Sequence, residues 1–294
     1  MNVFKSLREH AHPLHALRKK PVFRAISRHF DPIIPWRLSL LPRRIYLRLL
    51  SHASLILDSS TQEASVHETF LALLRELPSG GVFWDVGANV GCFSWYCASS
   101  RPDFEIVSFE PDAKNIKCLY RTSRAWNLPK HTIMPCAVAE TTGRAVFLID
   151  EVSGTTGTLE EFTETFNQFH YGASSQQIEI DTISLDDFLD KRRNPPSIIK
   201  IDVEGAELRV LLGASKLLDQ HRPTLFFETF RHRAELITLL EKFGYHFYDS
   251  DRKQGVSDTT TNIIAIVPGR HRRALEILGR LGYPVESCNE PAYG

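Results

Sequence analysis

The chain has 294 residues, with 35 basic and 35 acidic side chains, 43% hydrophobic residues and five cysteines. That length allows one large domain, or one domain with an appendage, and affords a sizeable core; no apolar run is long enough to cross a bilayer and no signal-peptide core opens the sequence, so a cytoplasmic protein is expected. Cys92, Cys97, Cys118, Cys136 and Cys288 are an odd set without a C-x-x-C pair, which argues against a disulfide framework or zinc site and for small buried thiols.

The balanced total hides an asymmetry. Residues 1–50 hold eleven Lys or Arg against Glu9 and Asp31, leaving +9 at the front and −9 on the remainder. Pro13, Pro21, Pro32, Pro35 and Pro42 interrupt residues 1–57, predicting a basic extension of short helices and turns. Within it, residues 43–50 set Ile45, Tyr46, Leu47, Leu49 and Leu50 among arginines. Such a piece suits peripheral contact with an anionic membrane, on its inner face, or with an acidic partner; it equally suits a helical lid packed on the main domain.

From residue 60 the pattern becomes regular. Val66, Phe70, Leu73, Leu74 and Leu77 share one helix face, which Pro78-Ser79-Gly80-Gly81 ends. Phe83-Trp84-Asp85-Val86 then reads as a buried strand that breaks at Gly87 into a turn opening a helix at Cys92. Gly87 lets the backbone turn without a Cβ, and Gly91 lets the new helix approach closely. In an open α/β sheet ligands sit beyond the carboxyl ends of the strands, so this stretch marks the first wall of a nucleotide-type pocket. Its spacing, D-x-G-x-x-x-G, departs from the dinucleotide fingerprint and suits a positively charged ligand better than a pyrophosphate.

Further on, strands are predicted over 105–109, 132–135, 145–149 and 177–183, with a helix over 113–126. Gly154-Thr155-Thr156-Gly157 lies in a polar excursion over the carboxyl edge. A helix over 185–191, a strand over 198–203, one helix over 206–219 with Gly213 inside it, a strand over 224–228 and a helix over 234–243 follow. Residues 245–248 and 262–267 form a terminal hairpin, and 271–281 a last helix. This divides the chain into an extension (1–57), an α/β domain (58–270) and a C-terminal helix and tail (271–294).

Strand ends supply acids at intervals: Asp85 after the first strand, Glu110 after the second, Asp202 and Glu204 at the fourth, Glu228 at the fifth. A doubly wound sheet brings such residues to one edge. Glu110 is placed to accept both hydroxyls of a ribose, with helix capping before Pro111 as the alternative. Glu204 suits a cap on the helix after it, Glu228 a structural salt bridge, and Glu207 the first-turn dipole of that same helix. His170, His232 and His246 show no ligand spacing, and no divalent-cation site is predicted.

Asp85-Val86-Gly87-Ala88-Asn89-Val90-Gly91, Phe109-Glu110-Pro111 and Lys200-Ile201-Asp202-Val203-Glu204-Gly205-Ala206-Glu207 together resemble the FkbM family of S-adenosylmethionine-dependent methyltransferases, over about residues 80–268. The resemblance implies the class I methyltransferase fold: a Rossmann-like, seven-stranded, mostly parallel sheet with helices on both faces and an antiparallel last strand. It implies S-adenosylmethionine as cofactor, with Asp85, Gly87, Asn89 and Gly91 around its methionine part and Glu110 on its ribose. The adenine would lie near Cys136-Ala137-Val138, through a backbone contact at Ala137. Asp202 and Glu204 become candidates for base or acceptor anchor, Asp202 with the alternative of binding the cofactor's amino group, and Glu228 a further acceptor-side candidate.

The expected reaction is O-methylation of a hydroxyl on a sugar, glycan, lipid-linked saccharide or natural product. A non-catalytic scaffold is disfavoured because it needs no converging acids, and an NAD(P)-dependent oxidoreductase because of the turn spacing. Nucleic acid is disfavoured as a partner because no recognised RNA module is present.

Overall fold

The computed structural model describes residues 30–57, 64–149, 158–159 and 176–285. An antiparallel hairpin of β1 (Ile33–Trp36) and β2 (Ile45–Arg48) leads through the short α1 (Ala53–Leu57) to α2 (Ala64–Glu76). Then come β3 (Val82–Val86), α3 (Cys92–Ser100), β4 (Glu105–Phe109), α4 (Ala113–Trp126) and β5 (His131–Met134). A side sheet follows, built from β6 (Ala137–Val138), β7 (Gly143–Ile149), β8 (Thr158–Leu159) and β9 (Gln176–Ile183). The chain returns through α5 (Leu185–Arg192), β10 (Ile198–Ile201), α6 (Glu207–Leu212), α7 (Ser215–Gln220) and β11 (Thr224–Glu228). It closes with α8 (Arg233–Glu241), β12 (His246–Asp249), β13 (Gln254–Gly255), β14 (Asn262–Ile266) and α9 (Arg272–Arg280).

The main sheet has the order β13-β12-β14-β11-β10-β3-β4-β5. β11, β10, β3, β4 and β5 run parallel, while β14 lies antiparallel between β11 and β12. This is the expected class I sheet with one addition: two residues of the polar turn pair with β12 and make an eighth, edge strand.

Strand alternation feeds two cores, one on each face. Phe83, Ile106, Ile198 and Phe226 pack with α2, α3, α4 and α9, while Trp84, Val86, Phe109, Ile199 and Phe227 pack with α5, α6, α7 and α8. Phe70 of α2 anchors the first core, edge-on to Phe93 at 5.1 Å and to Phe226 at 5.5 Å. Lys200, alone among the residues of β10, brings a charge into that core.

The segment 43–50 is not helical. Ile45 and Leu47 point inward with period two, as strand β2 requires, and both are fully buried. The hairpin docks on α4: the Tyr46 N–H donates to Thr122 Oγ1 at 2.8 Å and Trp126 Nε1–H to the Arg44 carbonyl at 2.8 Å. A three-residue apolar run fits either period, and the α4 groove decides between them.

The helix over 206–219 is also broken, into α6 and α7. A β-carbon on Gly213 would lie 2.4 Å from the Ala139 carbonyl oxygen, so a close backbone crossing demands the glycine and interrupts the helix there. Cys97, Cys118 and Cys136 are buried free thiols and Cys92 a half-buried one. Among the described residues no group of three or more His, Cys, Asp or Glu side chains is placed to hold a metal, and no helix is long and apolar enough to cross a membrane. Residues 1–29, the 154–157 excursion, His170 and Cys288 lie outside the described residues.

Candidate active site

Ile201, Val86, Phe109 and Met134 stand in one row across β10, β3, β4 and β5, and Phe227 of β11 continues it. One residue beyond, the Asp202 N–H donates to the Val86 carbonyl at 2.9 Å, Gly87 to Phe109 at 3.0 Å and Glu110 to Met134 at 3.1 Å. Glu228, Asp202, Gly87 and Glu110 therefore leave the sheet side by side at its carboxyl edge. With strands spaced about 4.8 Å apart, Glu228 stands about 14 Å from Glu110.

The turn after β3 is held in the left-handed region at three positions, Gly87 (φ 78°), Asn89 (φ 54°) and Gly91 (φ 86°). A β-carbon on Gly91 would strike Leu119 of α4 at 2.7 Å and Trp95 of α3 at 2.8 Å; the crowding is between these helices, where the sequence suggested a close approach to the strand or ligand. Asn89 is the one non-glycine of the three, and Asn tolerates this conformation better than most residues.

Glu110 is buried and already engaged. Its Oε2 accepts from the Asn89 N–H at 2.7 Å, and its Oε1 from the Asp112 N–H at 2.9 Å and Asn115 Nδ2 at 3.3 Å. A carboxylate has about four acceptor positions, so one remains, on Oε2. That is room for one ribose hydroxyl where the sequence suggested two. Burial raises the Glu110 pKa to about 7 against the pull of these hydrogen bonds.

Asp85 lies deeper than expected. It is 2% exposed, and Oδ2 accepts from Ser94 N–H at 3.1 Å and Ser94 Oγ at 2.6 Å. It therefore holds the first turn of α3 from within, and burial lifts its pKa to about 6. Ser94 Oγ continues to Ser108 Oγ at 2.7 Å, and Ser108 Oγ to His131 Nε2 at 2.8 Å. Lys200, in register with Asp85, is 3% exposed; its Nζ lies 3.3 Å from Asp202 Oδ2 and 5.1 Å from the Phe93 ring centre.

Past Asp202 the chain turns at Glu204 (φ 54°) and Gly205 (φ 102°). α6 then opens from Ala206, which has no side chain to cap it. Glu207 does more than favour a dipole: it is buried, its Oε1 accepts the Gly205 N–H at 2.9 Å, and its Oε2 has no partner. Burial raises its pKa to about 7. Glu228 is buried in register with Asn262. Ala137, in β6, is buried and pairs with Thr182, on the opposite side of Glu110 from Asp202.

Three residues that the sequence reading passed over also reach this edge. His52 Nε2–H donates to Asn89 Oδ1 at 2.9 Å, and an Arg48 guanidinium nitrogen donates to Asn115 Oδ1 at 3.1 Å. Asn115 had a signal, because it is a polar residue on the buried stripe that Cys118, Leu119, Thr122 and Trp126 complete. His52 and Arg48 had none, since their partners lie in distant elements.

Chemically, the chain brings Glu110, Asp202 and Glu228 to this edge, with Glu204 in the turn beyond β10 and the Lys200 ammonium and Arg48 guanidinium beside them. The carboxylates are acceptors, which fits hydroxyl groups and a positive charge.

The methyltransferase FkbM domain model matches residues 85–247, more than half of the chain. Hexuronic acid methyltransferase AglP of Haloferax volcanii is 27% identical over 149 residues, covering 50% of this chain and 55% of that protein. Methyltransferase 1 of Beauveria bassiana is 28% identical over 155 residues, covering 49% of this chain and 61% of that protein. The chain thus spans little more than half the length of these curated relatives. Among solved structures, methyltransferase FkbM from Methylobacillus flagellatus is 20% identical, with a TM-score of 0.43 over 64% of this chain and 43% of that one.

Proposed function

The chain belongs to the FkbM family of methyltransferases, and on that premise we propose that it transfers a methyl group from S-adenosylmethionine to a hydroxyl oxygen of a sugar or sugar-bearing acceptor. The observation that carries this reading is the aligned row of Asp202, Gly87 and Glu110 at the carboxyl edge, acidic on both sides of a glycine turn. The name of the Haloferax relative, a hexuronic acid methyltransferase, supports a sugar as the acceptor.

S-adenosylmethionine supplies an electrophilic methyl on a sulfonium with a neutral leaving group, so the protein's task is largely alignment. Glu110 Oε2 takes one ribose hydroxyl, and the backbone at Ala137 takes the adenine. Asp202, which lies against Lys200 at the end of β10, takes the cofactor's amino group as an anion facing a cation. Taking the acceptor's proton falls to Glu204 or Glu228. Glu204 lies in the turn after β10, two residues beyond Asp202, and Glu228 ends β11, three strand spacings from Glu110.

Calorimetric titration with S-adenosylmethionine and S-adenosylhomocysteine, with NAD and NADP as controls, tests the reading. Micromolar binding of the sulfur nucleosides alone, weakened by Glu110→Ala, is expected. Labelled methyl transferred to a uronic-acid glycan and stable to alkali would mark an ether oxygen; alkali-labile label would mark a carboxyl ester instead. A folded protein that binds neither sulfur nucleoside overturns the proposal.

A further inference from the structure

We propose that His52 is a positioning residue of the cofactor site, which fixes Asn89 as a hydrogen-bond donor toward the carboxylate end of the bound cofactor. The inference rests on the S-adenosylmethionine reading above and adds to it a role for the hairpin that precedes the sheet.

The argument starts from protons. His52 is fully buried. Its Nδ1 accepts the Arg48 N–H at 3.1 Å, so that nitrogen carries no hydrogen. Burial, helped by the Arg48 charge, lowers the imidazole pKa to about 3, so the ring is neutral. A neutral imidazole has one N–H, which must then sit on Nε2 and needs an acceptor. The partner is Asn89, at 2.9 Å. Only the carbonyl end of an amide accepts, so the chemistry itself orients Asn89 with Oδ1 toward His52 and its NH2 group away.

The rest of Asn89 is committed as well. Its backbone N–H goes to Glu110 Oε2 at 2.7 Å, and its backbone sits in the left-handed region at φ 54°. Among the described residues no protein group takes its side-chain NH2. What this half-buried residue can offer a ligand is therefore a pair of donors, and donors recognise an acceptor such as a carboxylate. A freely rotating amide would offer either end.

The hairpin reaches the edge a second time through Arg48. Its guanidinium donates to Asn115 Oδ1 at 3.1 Å and lies 3.9 Å from both Asp31 and Asp112, while Asn115 Nδ2 holds Glu110 Oε1. One strand end thus braces both sides of the Glu110 carboxylate, through Asn89 and through Asn115.

The test compares two ligands that differ only at the amino-acid end. S-adenosylhomocysteine carries the carboxylate; methylthioadenosine keeps adenine, ribose and sulfur and lacks it. His52→Ala is expected to weaken S-adenosylhomocysteine about ten- to thirtyfold while methylthioadenosine changes less than about threefold. His52→Gln, whose side-chain N–H can reach the same oxygen, should recover most of the loss. Asn89→Asp keeps the acceptor for His52 and the turn conformation but replaces the donors with an anion; it should lose S-adenosylhomocysteine selectively, whether or not His52→Ala folds. Equal losses for both ligands, or unchanged affinities, would overturn the inference. If the wild-type protein binds neither ligand, the cofactor reading itself has failed, which that single titration shows.

Discussion

The backbone of Gly87 passes so close to Asp202 that a β-carbon built on the glycine falls 1.9 Å from the Asp202 carbonyl oxygen. This contact ties the turn after β3 to the turn after β10. Gly87→Ala must therefore move one of them, in a residue that already sits at φ 78°. A loss of about 3 kcal/mol or more is expected in urea denaturation. Gly143, with no atom within 4 Å of its built β-carbon and no positive φ, is the control: Gly143→Ala should change stability by less than about 1 kcal/mol.

Glu110 makes cofactor affinity depend on pH. A hydroxyl donating to Glu110 favours the ionised carboxylate, whose pKa in the free protein is raised to about 7. S-adenosylhomocysteine binding should strengthen up to about tenfold between pH 6 and 8, with proton release near pH 6. Calorimetry in buffers of different ionisation enthalpy reads that release, and Glu110→Gln should flatten the dependence.

Glu207 carries a stability cost at high pH. Its folded pKa, about 7, is raised above the ordinary 4.5. The contribution to stability is thus fully present below pH 4.5 and lost as pH rises through 7. Glu207→Gln keeps an acceptor for the Gly205 N–H and removes the charge from the unpartnered Oε2. It should gain about 1–2 kcal/mol at pH 8 and almost nothing at pH 4, measured by thermal denaturation at both values.

Lys200 sets the charge balance of the edge. S-adenosylmethionine carries one more positive charge than S-adenosylhomocysteine, and Lys200 is the buried cation that opposes it beside Asp202. Lys200→Met should raise the affinity ratio of the first ligand to the second about three- to tenfold at low salt. Paired titrations give the ratio. The same variant leaves Asp85 and Asp202 without their cation and should melt at a lower temperature.

The central sheet was legible because its signals are local. A strand buried on both faces reads as an apolar run, a glycine is required where β3 breaks, and β/α alternation selects a parallel sheet with its acids at one edge. From these alone Asp85, Glu110, Asp202, Glu204 and Glu228 were assigned to one edge; the register places Glu110, Asp202 and Glu228 there, whereas Asp85 lies within β3, level with Lys200. Segment 43–50 and the helix over 206–219 were read differently because each is decided by a distant surface: the α4 groove for β2, and the Ala139 carbonyl for Gly213.

Sequence by itself determined which residue types stand at the strand ends, because hydrophobic period and turn chemistry are properties of neighbours along the chain. Only the tertiary structure decided how those groups are used. That Glu110 keeps one free acceptor position, that Asp85 is spent on Ser94, and that His52 turns the Asn89 amide are results of hydrogen-bond satisfaction among buried groups. Each buried donor and acceptor must find a partner in space, and the partner's place in the chain does not enter that requirement.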